Sequence, residues 1–307
     1  MTNNYAIEVH QLAMRFGKKP VLSDVTFQVP RGSTFAFLGR NGAGKTTTIR
    51  ILLGLLKREG GQVSVLGLEP ARQAMEIRRR VGYLAEDQRM FGWMKVKQLL
   101  DFIAPFYPNW NRSISERLAA RFELPMTTRV KHLSKGQNVR LGLLLAVAHR
   151  PELVILDDPT LGLDPIMRKE FLRDVVSYLQ SIETTVFFSS HLLYEIEPVA
   201  DLVGILENGR IVIQSSTDAL RERVKQLLLP TDQYRRVSPL PGELDVLIRG
   251  SQTAVVVADA EAAARAAQVA GLRPTVNDLN LDEIFEAYVA GRTEKSIDRK
   301  ADLERVG

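Results

Sequence analysis

Eight consecutive residues near the start of the chain restrict its architecture more than any other feature: Gly39-Arg40-Asn41-Gly42-Ala43-Gly44-Lys45-Thr46. The run matches G-x-x-x-x-G-K-[ST], and its flanks are the ones that motif requires. Thr34 to Leu38, just before it, is a short apolar stretch that predicts a strand. Thr46 to Leu56, just after it, has helical spacing at Ile49, Leu52, Leu53 and Leu56. A strand, a glycine turn and a helix in that order open an α/β phosphate-binding fold. The glycines let backbone N–H groups turn inward around a phosphate, and the helix points its positive end at the same place. Lys45 then stands where it can bridge the β- and γ-phosphates, and the Thr46 hydroxyl can ligate Mg²⁺.

A second motif supplies the acid that such a loop needs. Leu153-Val154-Ile155-Leu156-Asp157 reads as a buried strand ending in a carboxylate, the arrangement that holds Mg²⁺. Many core strands end in Asp, so the strand gains its meaning from the loop. The N/T-K-x-D run with which small GTPases read their base is absent.

Other strands are predicted at Ile7 to Val9, Val25 to Val29, Thr185 to Phe188 and Val203 to Leu206. Between about Asp87 and Arg150 the pattern turns helical, at Val96 to Phe102, Ile114 to Phe122 and Lys135 to Ala148. A helical insertion into one α/β domain explains this order better than a separate middle domain. Past Thr217 the character shifts to strands at Leu244 to Ile248 and Thr253 to Val257, with helices at Glu261 to Ala270 and Leu281 to Ala290. The expected division is residues 1–217, with the insertion at about 87–150, and a small α+β appendix at 218–307 that ends in a charged tail.

Composition removes several classes of function. The absence of cysteine excludes disulfides, thiolate metal sites and cysteine nucleophiles. A net charge of +5, from 41 Lys+Arg against 36 Asp+Glu, is too mild for a nucleic-acid binder, and none is expected as a partner. No run approaches the ~18 apolar residues of a membrane span. MTNNYAIEVH lacks the pattern of a signal peptide, so the expected location is cytosolic.

Between the two phosphate motifs stands Leu133-Ser134-Lys135-Gly136-Gln137, and with it the chain resembles the ATP-binding subunit of an ABC transporter. The resemblance covers about Ile7 to Ser215. It implies a P-loop NTPase core of ABC type, ATP and Mg²⁺ as cofactors, and ATP hydrolysis coupled to transport. Phe16, 23 positions before Gly39, falls where the family places an aromatic that stacks on adenine. The phosphate loop from Gly39 to Thr46, with Thr47 behind it, would hold the phosphates. Gly162-Leu163-Asp164-Pro165 resembles the D-loop, and His191 the switch histidine at the γ-phosphate.

The family sandwiches two ATPs between two subunits. Ser134, Gly136 and Gln137 would then face ATP held by a second ATPase chain, either a copy or a paralogue. The load would be a separate polytopic membrane subunit gripped near the helical insertion, which places the chain peripherally on the cytoplasmic face of the cell membrane. Phe106-Tyr107-Pro108-Asn109-Trp110 and Phe122-Glu123-Leu124-Pro125 resemble the insertion of bacterial ABC-2-type exporter subunits.

Three positions depart from the family. Glu86, in Tyr83-Leu84-Ala85-Glu86, replaces the Q-loop glutamine, where it would serve as metal ligand and catalytic group. Lys135 replaces a signature glycine. Asp158 stands where the family has the glutamate that polarises the attacking water; it is shorter by one bond, ~1.5 Å. A misplacement on the order of 1 Å can cost about 10²-fold in rate. Intact ATP binding with slow hydrolysis is therefore expected. The alternatives are a hydrolysis-impaired switch on the same partner and a soluble ABC ATPase. Only 89 positions separate Lys45 from Ser134, too few for the coiled coil of DNA-repair members, and a single phosphate loop is present.

Overall fold

Alternating burial along Tyr5–Phe16 (β1) and Lys19–Pro30 (β2) sets one apolar face of an antiparallel pair inward. The computed structural model describes residues 4–160, 163–164, 166, 168, 171–172, 175, 178–179, 184–190, 197 and 199–291. After β2 the chain turns through Gly32 into Thr34–Leu38 (β3), the strand that feeds the phosphate loop. Lys45–Leu52 (α1) follows, and Gly60–Val65 (β4) returns to pair antiparallel with β1. The helix expected to reach Leu56 stops at Leu52. Gly54 adopts φ 63°, and a Cβ there would sit 2.6 Å from the Pro70 carbonyl oxygen.

Pro70–Arg80 (α2) leads into the short strand Val81–Leu84 (β5). Then come the helices of the insertion: Val96–Ile103 (α3), Arg112–Arg121 (α4) and Lys135–Val147 (α5). Asn111 caps α4 by accepting from the Ile114 N–H at 3.0 Å, which starts that helix two residues before the first apolar one. Leu153–Asp157 (β6) and Thr185–Ser190 (β7) are buried at every position, as parallel strands covered on both faces are. Leu202–Glu207 (β8) and Arg210–Ser216 (β9) form a hairpin around Asn208-Gly209, both with positive φ.

Among the described residues, six of these strands make one sheet in the order β5-β6-β7-β3-β8-β9. The pairings from β5 through β8 are parallel. The antiparallel sheet β2-β1-β4 joins it through an aromatic cluster. Phe35 of β3 and Phe187 of β7 stack at 5.7 Å, and Phe27 of β2 lies 5.3 Å from Phe37. Each such pair contributes about 0.5–1.5 kcal/mol beyond its buried area.

The chain divides into two units, Met1–Gln214 and Ser215–Gly307. The second opens with Thr217–Arg223 (α6), capped by Ser216. It continues through Lys225–Pro230 (β10), Thr231–Val237 (α7), Glu243–Arg249 (β11), Gln252–Val257 (β12), Ala260–Val269 (α8), Thr275–Asn277 (β13) and Leu281–Ala290 (α9). The sheet order β11-β12-β10-β13, all antiparallel, is that of a split βαββαβ unit. Leu227, Leu229, Tyr234, Val246, Val255 and Val257 form its core.

Candidate functional site

Sheet order brings the two phosphate motifs together. β7 lies between β3 and β6, so the loop after β3 and the carboxylates ending β6 emerge on the same rim. Within the loop, the Ala43 N–H donates to the Arg40 carbonyl at 3.1 Å, which closes the turn. Gly44 precedes α1 at φ 112°, and a Cβ on it would come 2.5 Å from Leu22 Cδ2. A Cβ on Gly39 would come 2.6 Å from the Leu206 carbonyl oxygen. A larger residue at Gly39 would press on that backbone, whereas at Gly44 the left-handed φ itself disfavours one.

Lys45 is 5 % exposed and folds back across the loop. Its Nζ donates to the Gly39 carbonyl at 2.9 Å and lies 3.5 Å from Asp158 Oδ2. Asp157 is fully buried. Its Oδ1 accepts from Ser189 Oγ at 3.0 Å and from Thr46 Oγ1 at 3.4 Å, while its Oδ2 meets no hydrogen-bond partner. Burial, above all, pushes the Asp157 carboxyl up to about 6; the two hydroxyls oppose this, and Asp158 and Glu86 add to it. Burial likewise pushes the Tyr83 hydroxyl to about 12, with Asp157 as the next contribution. Asp158 itself takes φ 42°, a left-handed conformation rare outside glycine, with its N–H donating to the Ser189 carbonyl at 3.0 Å.

These groups border a cleft of about 380 Å³. Its walls bring together Phe16, Arg40, Asn41, Gly42, Gly44 and Lys45 with Thr46, Thr47, Glu86 and Asp158. Gly39, Ala43 and Asp157 are buried behind that lining. Phe16 is 52 % exposed, so it presents a ring to the cleft rather than filling the core, the position a phenylalanine would otherwise be expected to take. Two contributors gave no signal of their own in the sequence. Val21 lines the cleft because the β1–β2 hairpin sets it beside Phe16, and Ser189 reaches Asp157 because the two are register partners across β6 and β7.

Ser134, Gly136 and Gln137 do not line the cleft. Ser134 Oγ accepts from the Gln137 N–H at 3.1 Å, and Gln137 Oε1 accepts from the Ser134 N–H at 3.0 Å. This capping box fixes the start of α5 and leaves Ser134 and Lys135 exposed there. His191, Gly162 and Pro165 lie outside the described residues. Among those residues no cluster of three or more His, Asp or Glu gathers as a cation cage. Mg²⁺ needs none, since it takes one or two carboxylates and completes its shell with water and phosphate.

Residues 22–161 match the family model described as ABC transporter. The bacitracin transport ATP-binding protein BcrA of Bacillus licheniformis is 36% identical over 244 residues, covering 78% of this chain and 80% of its own. The chain belongs to the ABC transporter ATP-binding family. The ABC transporter ATP-binding protein YtrB of Bacillus subtilis is 28% identical over 93% of this chain and 99% of its own, so that likeness runs into the second unit. A solved ATP-binding subunit of an ABC transporter superposes with a TM-score of 0.64 at 30% identity, over 71% of this chain and 92% of that one. The chain is thus an ATP-binding subunit of an ABC transporter and an ATPase. Its fold is the P-loop NTPase fold of that family. Among the described residues no helix is long and apolar enough to cross a membrane.

Proposed function

We propose that this cleft holds Mg-ATP and that the chain energises export through a separate membrane subunit. The observation that carries the reading is Asp157 Oδ2, a buried carboxylate oxygen with no partner, one strand from the phosphate loop. An unpaired charge at such a depth is costly unless a cation meets it. The residues fit the group. Thr46 and Asp157, with Glu86 at the cleft wall, would hold Mg²⁺, and the Gly39–Thr47 loop would cradle the phosphates. Bound Mg²⁺ would neutralise charge on the phosphates. Phe16 would stack on the base. Asp158 would orient or deprotonate water, with His191 as its companion at the γ-phosphate.

Export as the direction is supported by relatives named for bacitracin and lantibiotic transport. A docking surface for the membrane partner is supported by Phe91, Trp93, Phe102 and Phe106 on the insertion. They form a continuous edge-to-face ladder, with Trp93 67 % and Phe106 61 % exposed. The separation of Ser134, Gly136 and Gln137 from the cleft supports their service to the nucleotide of a second ATPase chain. The chain would then sit on the cytoplasmic face of the cell membrane.

The test is Asp157→Asn. A carboxyl whose folded pKa lies above its ordinary value contributes stability at low pH and loses it as pH rises through about 6. At pH 7.5 the charged Asp157 therefore weakens the nucleotide-free fold. Asn should raise its thermal stability while removing the Mg²⁺ dependence of ATP binding. A variant that binds Mg-ATP like the wild type would overturn the assignment.

A further inference from the structure

Ser189 places a hydroxyl inside a parallel strand of the kind that normally reads as continuous Val, Ile and Leu. It is fully buried on β7, and the residues before it, Val186, Phe187 and Phe188, belong to the core. A buried hydroxyl is costly unless it is hydrogen-bonded. Ser189 Oγ donates to Asp157 Oδ1 at 3.0 Å, across the register pair that the two residues form between β6 and β7. The backbone of the same residue serves the next acid, since its carbonyl accepts from the Asp158 N–H at 3.0 Å.

The bond to Oδ1 makes the two oxygens of Asp157 unequal. Thr46 Oγ1 of α1 also reaches Oδ1, at 3.4 Å, so hydroxyls from two elements converge on one oxygen. Oδ2, equally buried, meets no hydrogen-bond partner. A carboxylate held in this way offers a cation one oxygen and withholds the other. That difference bears on the choice between divalent ions. Mg²⁺ demands near-octahedral geometry, which a single carboxylate oxygen suits. Ca²⁺ takes more ligands in a flexible shell and accepts a carboxylate through one oxygen or both.

We propose that Ser189 is a positioning residue that makes the site selective for Mg²⁺ over Ca²⁺, by holding Asp157 to one-oxygen coordination through Oδ2. The proposal rests on the reading that Asp157 meets the cation of bound ATP. Ser189 itself touches neither nucleotide nor metal; it acts through Asp157. For Ca²⁺ to take both oxygens, Oδ1 would have to leave the Ser189 hydroxyl and strand it in the core without a partner, which is costly. Outer hydrogen bonds of this kind orient metal ligands and tune the ion they hold.

The test compares binding of AMP-PNP, a non-hydrolysable ATP analogue, to the full chain in Mg²⁺ and in Ca²⁺ by calorimetry. Ser189→Ala should lower the preference for Mg²⁺ over Ca²⁺ by about tenfold, the lower end of what losing such an outer partner does to metal affinity. Ser189→Cys fills nearly the same space with a weak donor, so it should shift the preference the same way, and it carries the test should the alanine variant not fold. Ser189→Thr keeps the hydroxyl and should keep the wild-type preference. A hydroxyl of purely structural value would weaken binding in both ions alike. An unchanged preference in the folded alanine or cysteine variant, or an equal loss in the threonine variant, therefore overturns the proposal. Asp157→Asn tells this apart from failure of the underlying reading. If it leaves the metal dependence of binding intact, the cation is held elsewhere and the proposal falls with that reading. If it removes the dependence while Ser189→Ala keeps the wild-type preference, only the role of Ser189 falls.

Discussion

At the scale of single residues, the position on which the proposed hydrolysis turns is Asp158. It is one bond shorter than the family's glutamate, and its left-handed backbone brings its carboxylate within 3.5 Å of Lys45. That contact draws Asp158 toward the lysine. If the short side chain leaves the attacking water poorly placed, Asp158→Glu should raise kcat and leave ATP affinity nearly unchanged, because the base acts in the transition state. Asp158→Asn should then cost little. A wild type as fast as its Asp158→Glu variant, together with an inactive Asp158→Asn, would instead show that the conformation at 158 has adapted the shorter acid to its task. Steady-state hydrolysis by the three proteins decides between these outcomes.

At the scale of elements, what could be read from the sequence was whatever carried a strong local pattern. The phosphate loop, β3, α5, β6 and α9 announce themselves by motif, apolar run or helical spacing, and α9 spans the very residues its spacing predicts. What escaped lacked such a pattern. Among the eleven residues of α2 only Pro70 and Ile77 are buried, so no apolar stripe marks it as a helix. β4 opens on two glycines and turns Gln62 outward, while β5 is four residues long and holds Gly82. The three leucines of β10 fit strand and helix alike. In the site, the loop residues were legible one by one. The bond from Ser189 to Asp157 was not, since it arises from strand register across 32 positions.

Two glycines in this region make a testable contrast. A Cβ on Gly82 would fall against the Ala146 backbone carbonyl of α5, which cannot yield without moving the helix off β5. The nearest atoms to a Cβ on Gly142 would be those of the Gln88 side-chain amide, which can swing aside. Gly82→Ala should therefore destabilise the fold by about 1–3 kcal/mol. Gly142→Ala should be neutral or slightly stabilising, because it replaces a glycine within a helix. Thermal unfolding of the two variants measures the difference.

At the scale of the whole molecule, the proposed pairing of two chains rests on a signature that its own cleft does not use. Mg-ATP should drive the protein to a dimer under non-hydrolysing conditions, detectable by light scattering. Ser134→Arg should block this while nucleotide still binds the monomer. Ser134→Ala removes the same helix cap, worth about 1 kcal/mol, without adding bulk. If Ser134→Arg dimerises as readily as Ser134→Ala, the signature does not face a partner's nucleotide.

The aromatic cluster between the two sheets has a consequence for selectivity. Phe16 ends a strand of the antiparallel sheet, whereas the phosphate loop springs from β3 of the parallel one. Phe27, Phe35, Phe37 and Phe187 clamp those sheets together. On the proposed reading, the ring that meets the base and the lysine that meets the terminal phosphate are mounted on one frame, like the jaws of a locked caliper. A locked caliper gauges length and is indifferent to what it spans. Because every base offers a π-face, purine triphosphates should compete nearly equally for the cleft, while shortening the phosphate chain should be felt at once.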